Sequence, residues 1–296
     1  MEPIDRDSVY RFLFEELPVR GEIVHLDAAW RAAAEQVEYP PALRALLGEA
    51  MAASVLLAST LKFDGSLTLQ LQGSGKLQLL VVQCTSSLNL RGLARTADDF
   101  DGDIDGLSLQ DMVGRDGRMV VTIEQEGRSD RYQGIVPLEG ETFAECFEAY
   151  FSRSEQLPTR LFLAADKRQA AGMLLQVMPG HEHDEAAWQH VTTLGETITS
   201  EELRELDANT ILHRLYHEED LRLFESSPVA FRCSCSRERI VDMLRSLGEA
   251  EIDSIVAEQG SVSVDCEFCG RTYAFDPVDA KALFTGAMDP DEGHSH

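Results

Sequence analysis

The chain has 296 residues, 44% hydrophobic and 26% charged, enough for a substantial core and for more than one domain. Its 52 acidic and 26 basic side chains leave a formal net charge of −26, which opposes phosphate binding and argues against a nucleic-acid partner. No apolar run approaches the roughly 20 residues that span a bilayer, and Met1-Glu2-Pro3-Ile4-Asp5-Arg6-Asp7 lacks the basic flank and apolar stretch of a secretory signal. The expectation is a cytoplasmic protein with no membrane partner, where thiols stay reduced and a cysteine cluster means metal or redox chemistry.

In chain order, Pro40-Pro41 precedes a helix predicted from Ala42 to about Leu61, with Leu43, Leu46, Leu47, Ala50 and Met51 at helical spacing. Two strand runs, Ser66 to Gln72 and Lys76 to Gln83, flank Gly73-Ser74-Gly75. This is a hairpin signal, with glycines available for positive φ in the turn. Strand-like runs follow at Arg118–Glu124, Tyr132–Leu138, Thr159–Ala164 and Met173–Met178, and a helix carrying Phe143, Phe147, Tyr150 and Phe151 falls between the second and third. Strands grouped with a few helices predict an α+β chain whose first domain, a mixed α/β-sheet unit, covers residues 1–180.

After Pro179-Gly180 the composition changes. Residues 181 to 232 hold twelve acidic and four basic side chains. Thr199-Ser200-Glu201-Glu202 has capping-box spacing, and Leu203, Leu206, Ile211, Leu212 and Leu215 make an amphipathic face. Residues 181–228 are therefore expected to be an acidic helical linker. Such a linker is marginal alone and holds its shape by laying its apolar face on a neighbour.

Residues 229–296 are expected to form a small zinc-binding domain with a short acidic tail. Cys233-Ser234-Cys235 and Cys266-Glu267-Phe268-Cys269-Gly270 place two close cysteine pairs around a foldable intervening stretch. Four thiolates so arranged suit tetrahedral zinc. The same pairs can instead close two local disulfides. Between them, Ile240, Met243, Leu244 and Leu247 space a helix that Gly248 can terminate, and Ile252, Ile255 and Val256 mark a second closed by Gly260. Ser261 to Asp265 alternates like a strand. A module of this size gains about 3–5 kcal/mol from its own core, whereas structural zinc contributes about 10–16 kcal/mol. Loss of the metal should then unfold it. Oxidising either pair removes two ligands at once, so the motif can serve as a structural site or as a reversible switch.

Other candidates read more plainly. Cys84 and Cys146 are expected as small buried hydrophobes. His213 and His217 share a helix face, but Arg214 stands where a metalloprotease motif needs Glu, and His181-Glu182-His183 reads as solvated linker. Gly73-Ser74-Gly75-Lys76 fails as a phosphate loop twice: Gln70 replaces the first glycine and Leu77 the magnesium-binding hydroxyl. No dinucleotide fingerprint, triad spacing or paired-carboxylate motif stands out, so neither enzymatic nor ATP-driven activity is expected.

Several runs carry a resemblance: Tyr132 to Leu138, Tyr150 to Arg160, Ala171 to Pro179, Phe231 to Arg239 and Cys266 to Gly270. Over nearly its whole length the chain resembles the redox-regulated 33-kilodalton heat-shock chaperone family of bacteria. The resemblance implies a chaperone domain, a linker and a zinc-binding redox domain. It implies that Cys233, Cys235, Cys266 and Cys269 hold zinc in a reduced, inactive protein. It implies that oxidants release the metal, pair Cys233 with Cys235 and Cys266 with Cys269, and unfold the linker. The active form would be an ATP-independent holdase for unfolding clients, usually a homodimer. The tail from Asp289 to His296 is expected to be dispensable. Two rivals stay open, a constitutive zinc-ribbon interaction protein and a thiol oxidoreductase using Cys266 and Cys269. Against the latter, Asp265 and Glu267 do not lower a neighbouring thiol pKa.

Overall fold

The computed structural model describes residues 6–97, 100, 106–127, 131–180 and 184–285. Both His181-Glu182-His183 and the tail from Asp289 lie outside the described residues. The fold is α+β, in two compact units that meet in sequence at Arg232 and Cys233.

The first unit opens with β1 (Ser8–Phe14), β2 (Val19–Leu26), α1 (Ala28–Ala34) and α2 (Pro41–Thr60). Then come β3 (Gly65–Gln72), β4 (Leu77–Thr85), β5 (Asn89–Thr96), the short α3 (Leu109–Val113), β6 (Arg118–Gln125) and β7 (Arg131–Val136). Next come α4 (Phe143–Tyr150), which runs into a π-helical turn at Phe151–Glu155, then β8 (Thr159–Ala165) and β9 (Ala170–Val177). The last elements of the unit are α5 (Glu185–Gly195), α6 (Ser200–Glu205), α7 (Ala208–Tyr216), β10 (Leu221–Leu223), β11 (Ser227–Pro228) and β12 (Ala230–Phe231). One sheet runs β10-β1-β2-β9-β8, with β11 also on β1, and the other runs β12-β5-β4-β3-β6-β7.

Helix α2 packs on β2, β8 and β9 of the first sheet and on β3, β4 and β5 of the second. Flanked on both sides, it has to be apolar all round: Leu43, Leu47, Ala50, Met51, Ala53, Val55 and Leu56 are wholly buried. It is also, by length and composition, the one helix among the described residues able to cross a bilayer. This corrects the expectation that no run comes close, because Gly48, Glu49 and Ser54 interrupt the apolar sequence without breaking the helix. Its side chains instead fill the core, each buried leucine contributing about 1.5–3 kcal/mol.

The β3–β4 hairpin forms in the expected place, Leu71 opposite Leu80. Its glycines serve a different purpose from the one expected. Neither Gly73 nor Gly75 has positive φ. A Cβ at Gly73 would meet the Val113 carbonyl oxygen at 2.0 Å, and one at Gly75 the Met112 oxygen at 2.4 Å. Only glycine lets the turn lie this close to the end of α3, where the Gly75 amide donates to the Val113 carbonyl at 2.8 Å.

The acidic stretch lays its apolar face on the first sheet. Leu203, Ile211, Leu212, Leu215 and Tyr216 are buried in one cluster with Phe12, Phe14, Ile23, Met173 and Leu175. The capping box is complete: Thr199 Oγ1 accepts from the Glu202 amide at 3.2 Å, and the Glu202 carboxylate accepts from the Thr199 amide at 2.9 Å. Beneath α6, His25 Nε2 donates to the Leu203 carbonyl at 3.0 Å. Burial lowers the pKa of His25 to about 4, so the ring is neutral. Glu22 is also buried on β2, and burial pushes its carboxyl up to about 8 against the opposing pull of Ser59, Arg20 and Arg11.

In the second unit, α8 (Arg237–Leu247), α9 (Glu249–Gln259), β13 (Val262–Asp265), β14 (Thr272–Phe275) and α10 (Pro277–Thr285) surround a small core of Val241, Leu244, Ile252, Val262, Tyr273, Phe275, Ala280 and Leu283. Gly248 and Gly260 end α8 and α9 with φ of 91° and 82°, a backbone that favours glycine.

Candidate metal centre

Two short backbone segments converge at the end of this unit. The first lies between β12 and α8, where Cys233 and Cys235 sit in extended chain and Ser236 caps α8 by accepting from the Arg239 amide. The second is the turn joining β13 to β14. There the Cys266 carbonyl accepts from the amides of Cys269 (3.2 Å) and Gly270 (2.7 Å), while the Cys266 amide donates to the Arg271 carbonyl at 2.9 Å. Gly270 has a φ of 65°, which lets the chain turn back under the sulfurs. Asp265 pairs with Thr272 just below, so the hairpin ladder fixes where Cys266 and Cys269 point.

The four sulfurs all lie within 4.8 Å of one another, and all four cysteines are half-buried. Cys233 and Cys266 Sγ are 3.6 Å apart, Cys235 and Cys269 Sγ 3.4 Å. Four thiolates at about 2.3 Å from a tetrahedral metal stand about 3.8 Å from each other, so the set is close to the size a metal requires. All four donors are soft and no open position remains, which is the composition of a structural zinc site. These short distances cross the two halves of the motif, as the vertices of a tetrahedron do. Sulfur spacing therefore selects no disulfide pairing.

The local electrostatics point the same way. Burial raises the pKa of the Cys266 thiol, and burial together with the neighbouring sulfurs pushes Cys269 up to about 12. Four adjoining thiols resist ionising together unless a cation offsets the charge. Tyr273 adds an outer support, its hydroxyl donating to Cys235 Sγ at 3.2 Å. Arg237 ties α8 to the hairpin and to α10: it donates to the Ala274 carbonyl at 3.2 Å, pairs with Asp279 at 3.0 Å and covers the Phe275 ring at 4.3 Å. Neither Tyr273 nor Arg237 stood out in the sequence, since an ordinary β14 tyrosine and a helix-start arginine carry no spacing signal.

The remaining candidates fall elsewhere. Cys84 and Cys146 are completely buried, and burial holds both thiols protonated, Cys84 at about 12. His213 and His217 stack at 6.0 Å on the exposed side of α7. Among the described residues, the four cysteines form the one cluster of potential metal ligands.

Comparison with known proteins places the chain. The profile of the family described as Hsp33 protein matches residues 7–276. The chain is 50% identical over 281 residues to the 33 kDa chaperonin of Nitrosococcus oceani, covering 95% of each. It is 48% identical over 282 residues to that of Methylobacillus flagellatus, covering 94% of each. The crystal structure of the 33 kDa chaperonin from Thermotoga maritima superposes with a TM-score of 0.79 at 22% identity, over 95% of this chain and 99% of that one. The last match speaks to the fold, and the first three to descent: this chain belongs to the Hsp33 protein family.

Proposed function

We propose that the protein is an ATP-independent holdase of the cytoplasm, switched on when its four-cysteine centre is oxidised. Cys233, Cys235, Cys266 and Cys269 would hold zinc in the reduced protein, and the bound ion would tie two chain segments into one tetrahedral node. The observation that carries this reading is the convergence of four sulfurs within 4.8 Å in a unit with only eight buried core side chains among its described residues. Such a core gives about 3–5 kcal/mol, so the unit's order depends on the node.

Oxidation removes the node. Each disulfide takes two electrons and two protons from a thiol pair, and one molecule of peroxide accepting them becomes two waters. The pairing we assign, Cys233 with Cys235 and Cys266 with Cys269, rests on the family resemblance. The metal node starts one residue after Arg232, whose amide donates to the Leu90 carbonyl at 3.0 Å at the end of β12. Unfolding of the chain from Cys233 onward would thus pull directly on β12, the last strand of the first unit. The linker, residues 181–228, would then leave the chaperone domain, residues 1–180, and uncover the face around Phe12, Phe14, Ile23, Met173 and Leu175 for unfolding clients. A net charge of −26 keeps such a surface soluble and works against nucleic acid. The oxidised form would be a homodimer, with no catalytic residues and no membrane partner.

The test is a paired titration. Zinc release and thiol loss are followed as peroxide is added, together with suppression of aggregation of a heat-denatured client. Release in step with thiol loss, reversed by reductant and accompanied by holdase activity, is the expected result. Retained metal with a constant partner would indicate a zinc-ribbon adaptor, and turnover of dithiol substrates a thiol oxidoreductase. Equal client protection before and after oxidation would remove the switch.

A further inference from the structure

The first unit contains a cavity of about 290 Å³ that the client-holding reading does not use. It lies where the end of α2, the strands β3, β6 and β7, and the turn following α4 come together. Its walls include Leu57, Leu67, Ile123, Phe147, Phe151 and Leu157. Into this apolar lining projects one cation, Arg20 of β2. Its Nη2 donates to the Gln176 side-chain oxygen at 2.6 Å, and Gln176 in turn donates to Thr159 at 2.8 Å. That chain leaves Gln176 satisfied and neutral. None of the ion pairs among the described residues involves Arg20, and its buried Nε has no hydrogen-bond partner, an unusual condition for a guanidinium set against apolar walls.

The acidic member of the lining stands at its exposed rim. Glu155, in the π-helical turn, accepts from the hydroxyls of both Tyr132 (3.2 Å) and Tyr150 (3.1 Å), which stand 2.9 Å from each other. Glu22, two residues along β2 from Arg20 and on the same side of the strand, is kept protonated at neutral pH by burial and so does not cancel the arginine's charge. The cavity is near the small end of ligand pockets and is lined as they are, by apolar side chains with a few converging polar groups.

We infer that this cavity binds a small amphiphilic carboxylate, its short acyl chain or single ring among Leu67, Ile123, Phe147 and Phe151 and its carboxylate on the Arg20 guanidinium. A charge-assisted hydrogen bond in an apolar setting is about twice as strong as a neutral one. Selectivity should therefore follow the head group, with the apolar tail setting the baseline. The inference stands on the cavity alone and does not depend on the redox switch.

The experiment uses the full reduced chain, with octanoate, octanol and octylammonium as probes in calorimetric titrations below their aggregation concentrations. Octanoate should bind saturably at one per chain and about ten-fold more tightly than octanol, with octylammonium weakest, and amide shifts should map to the α4 turn and β6. Arg20→Gln should bring octanoate to the octanol affinity, while Arg20→Lys retains part of the preference. Equal binding of octanoate and octylammonium, non-saturating uptake, shifts that map elsewhere or no binding would each overturn the inference. Should Arg20→Gln fail to fold by its melting curve, the wild-type ranking of the three probes and the shift map still decide.

Discussion

The two compact units reach order by opposite means. In the first, α2 is buried between two sheets and a second apolar cluster forms under α6 and α7, so side-chain burial alone holds the fold. The second has eight buried core side chains among its described residues and, at one end, four converging cysteines that could hold a metal. A large core is indifferent to redox state, whereas on the proposed function the second unit would be ordered only while its sulfurs stay reduced and hold a metal. On that reading one chain combines a permanent scaffold with a conditional module, the contrast a switch requires.

The sharpest way to break the contrast is to remove one sulfur. Cys269→Ser should cost most of the roughly 10–16 kcal/mol that a structural zinc contributes, unfolding the second unit and loosening the linker while the core around α2 melts as before. Chelation should do the same to the wild-type chain. Two melting transitions, of which only one responds, are the expected calorimetric signature. A single transition that shifts as a whole would erase the distinction between the units.

The next largest effect tests where the acidic stretch belongs. Ile211 is wholly buried against the first sheet, and Ile211→Ala should cost about 2–5 kcal/mol. On the proposed function that loss loosens the linker without oxidation, so the reduced variant should hold back client aggregation where the wild-type chain does not. Unchanged client protection, with the destabilisation confirmed by denaturant melts, would separate linker packing from activity.

Buried titratable groups sharpen the contrast further. Glu22 keeps its proton in the folded state up to about pH 8, well above the usual value of 4.5. The unfolded chain releases that proton at lower pH, so the first unit should lose stability as pH rises from about 4.5 to 8 and level off beyond. Glu49, pushed up to about 7 by burial, acts in the same direction. Glu22→Gln should flatten this slope and gain about 2 kcal/mol at pH 9, less than the full linkage value because the amide must itself be buried. An unaltered slope in urea melts across pH 5–9 would assign the pH dependence to other groups.

Legibility in the sequence followed periodicity and spacing. Helix α2, the β3–β4 hairpin, strands β6 to β9 and the terminating Gly248 and Gly260 all follow from local pattern, and the cysteine spacing points to the cluster of four sulfurs. What escaped depends on long-range contact. The β1–β2 hairpin is not legible, because Ser8 to Phe14 does not alternate and one face, with Phe12, Phe14 and Ile23, is buried only by helices some 190 residues downstream. Strands β10 to β12 are two or three residues long and exist only through pairing with β1 and β5. The support given by Tyr273 and Arg237 was likewise invisible, being a matter of three-dimensional placement. Gly73 and Gly75 show the same limit: the residues were noticed, but the reason for them is the approach of α3.

The smallest effect tests the linker at its most local point. The capping box at Thr199 and Glu202 satisfies amides at the start of α6 that have no helical partner. Thr199→Ala should cost about 1 kcal/mol. If α6 is held chiefly by Leu203 packing on the first sheet and by His25 donating to the Leu203 carbonyl, this loss should be confined to faster amide exchange around residues 199–205. If the helix is instead near its own threshold, the same small loss should release it, and exchange should accelerate through α7 as well. A local response would make the linker part of the permanent scaffold, to be released, on the proposed function, only when oxidation acts on the cysteine centre. A spreading one would place it, energetically, with the conditional module.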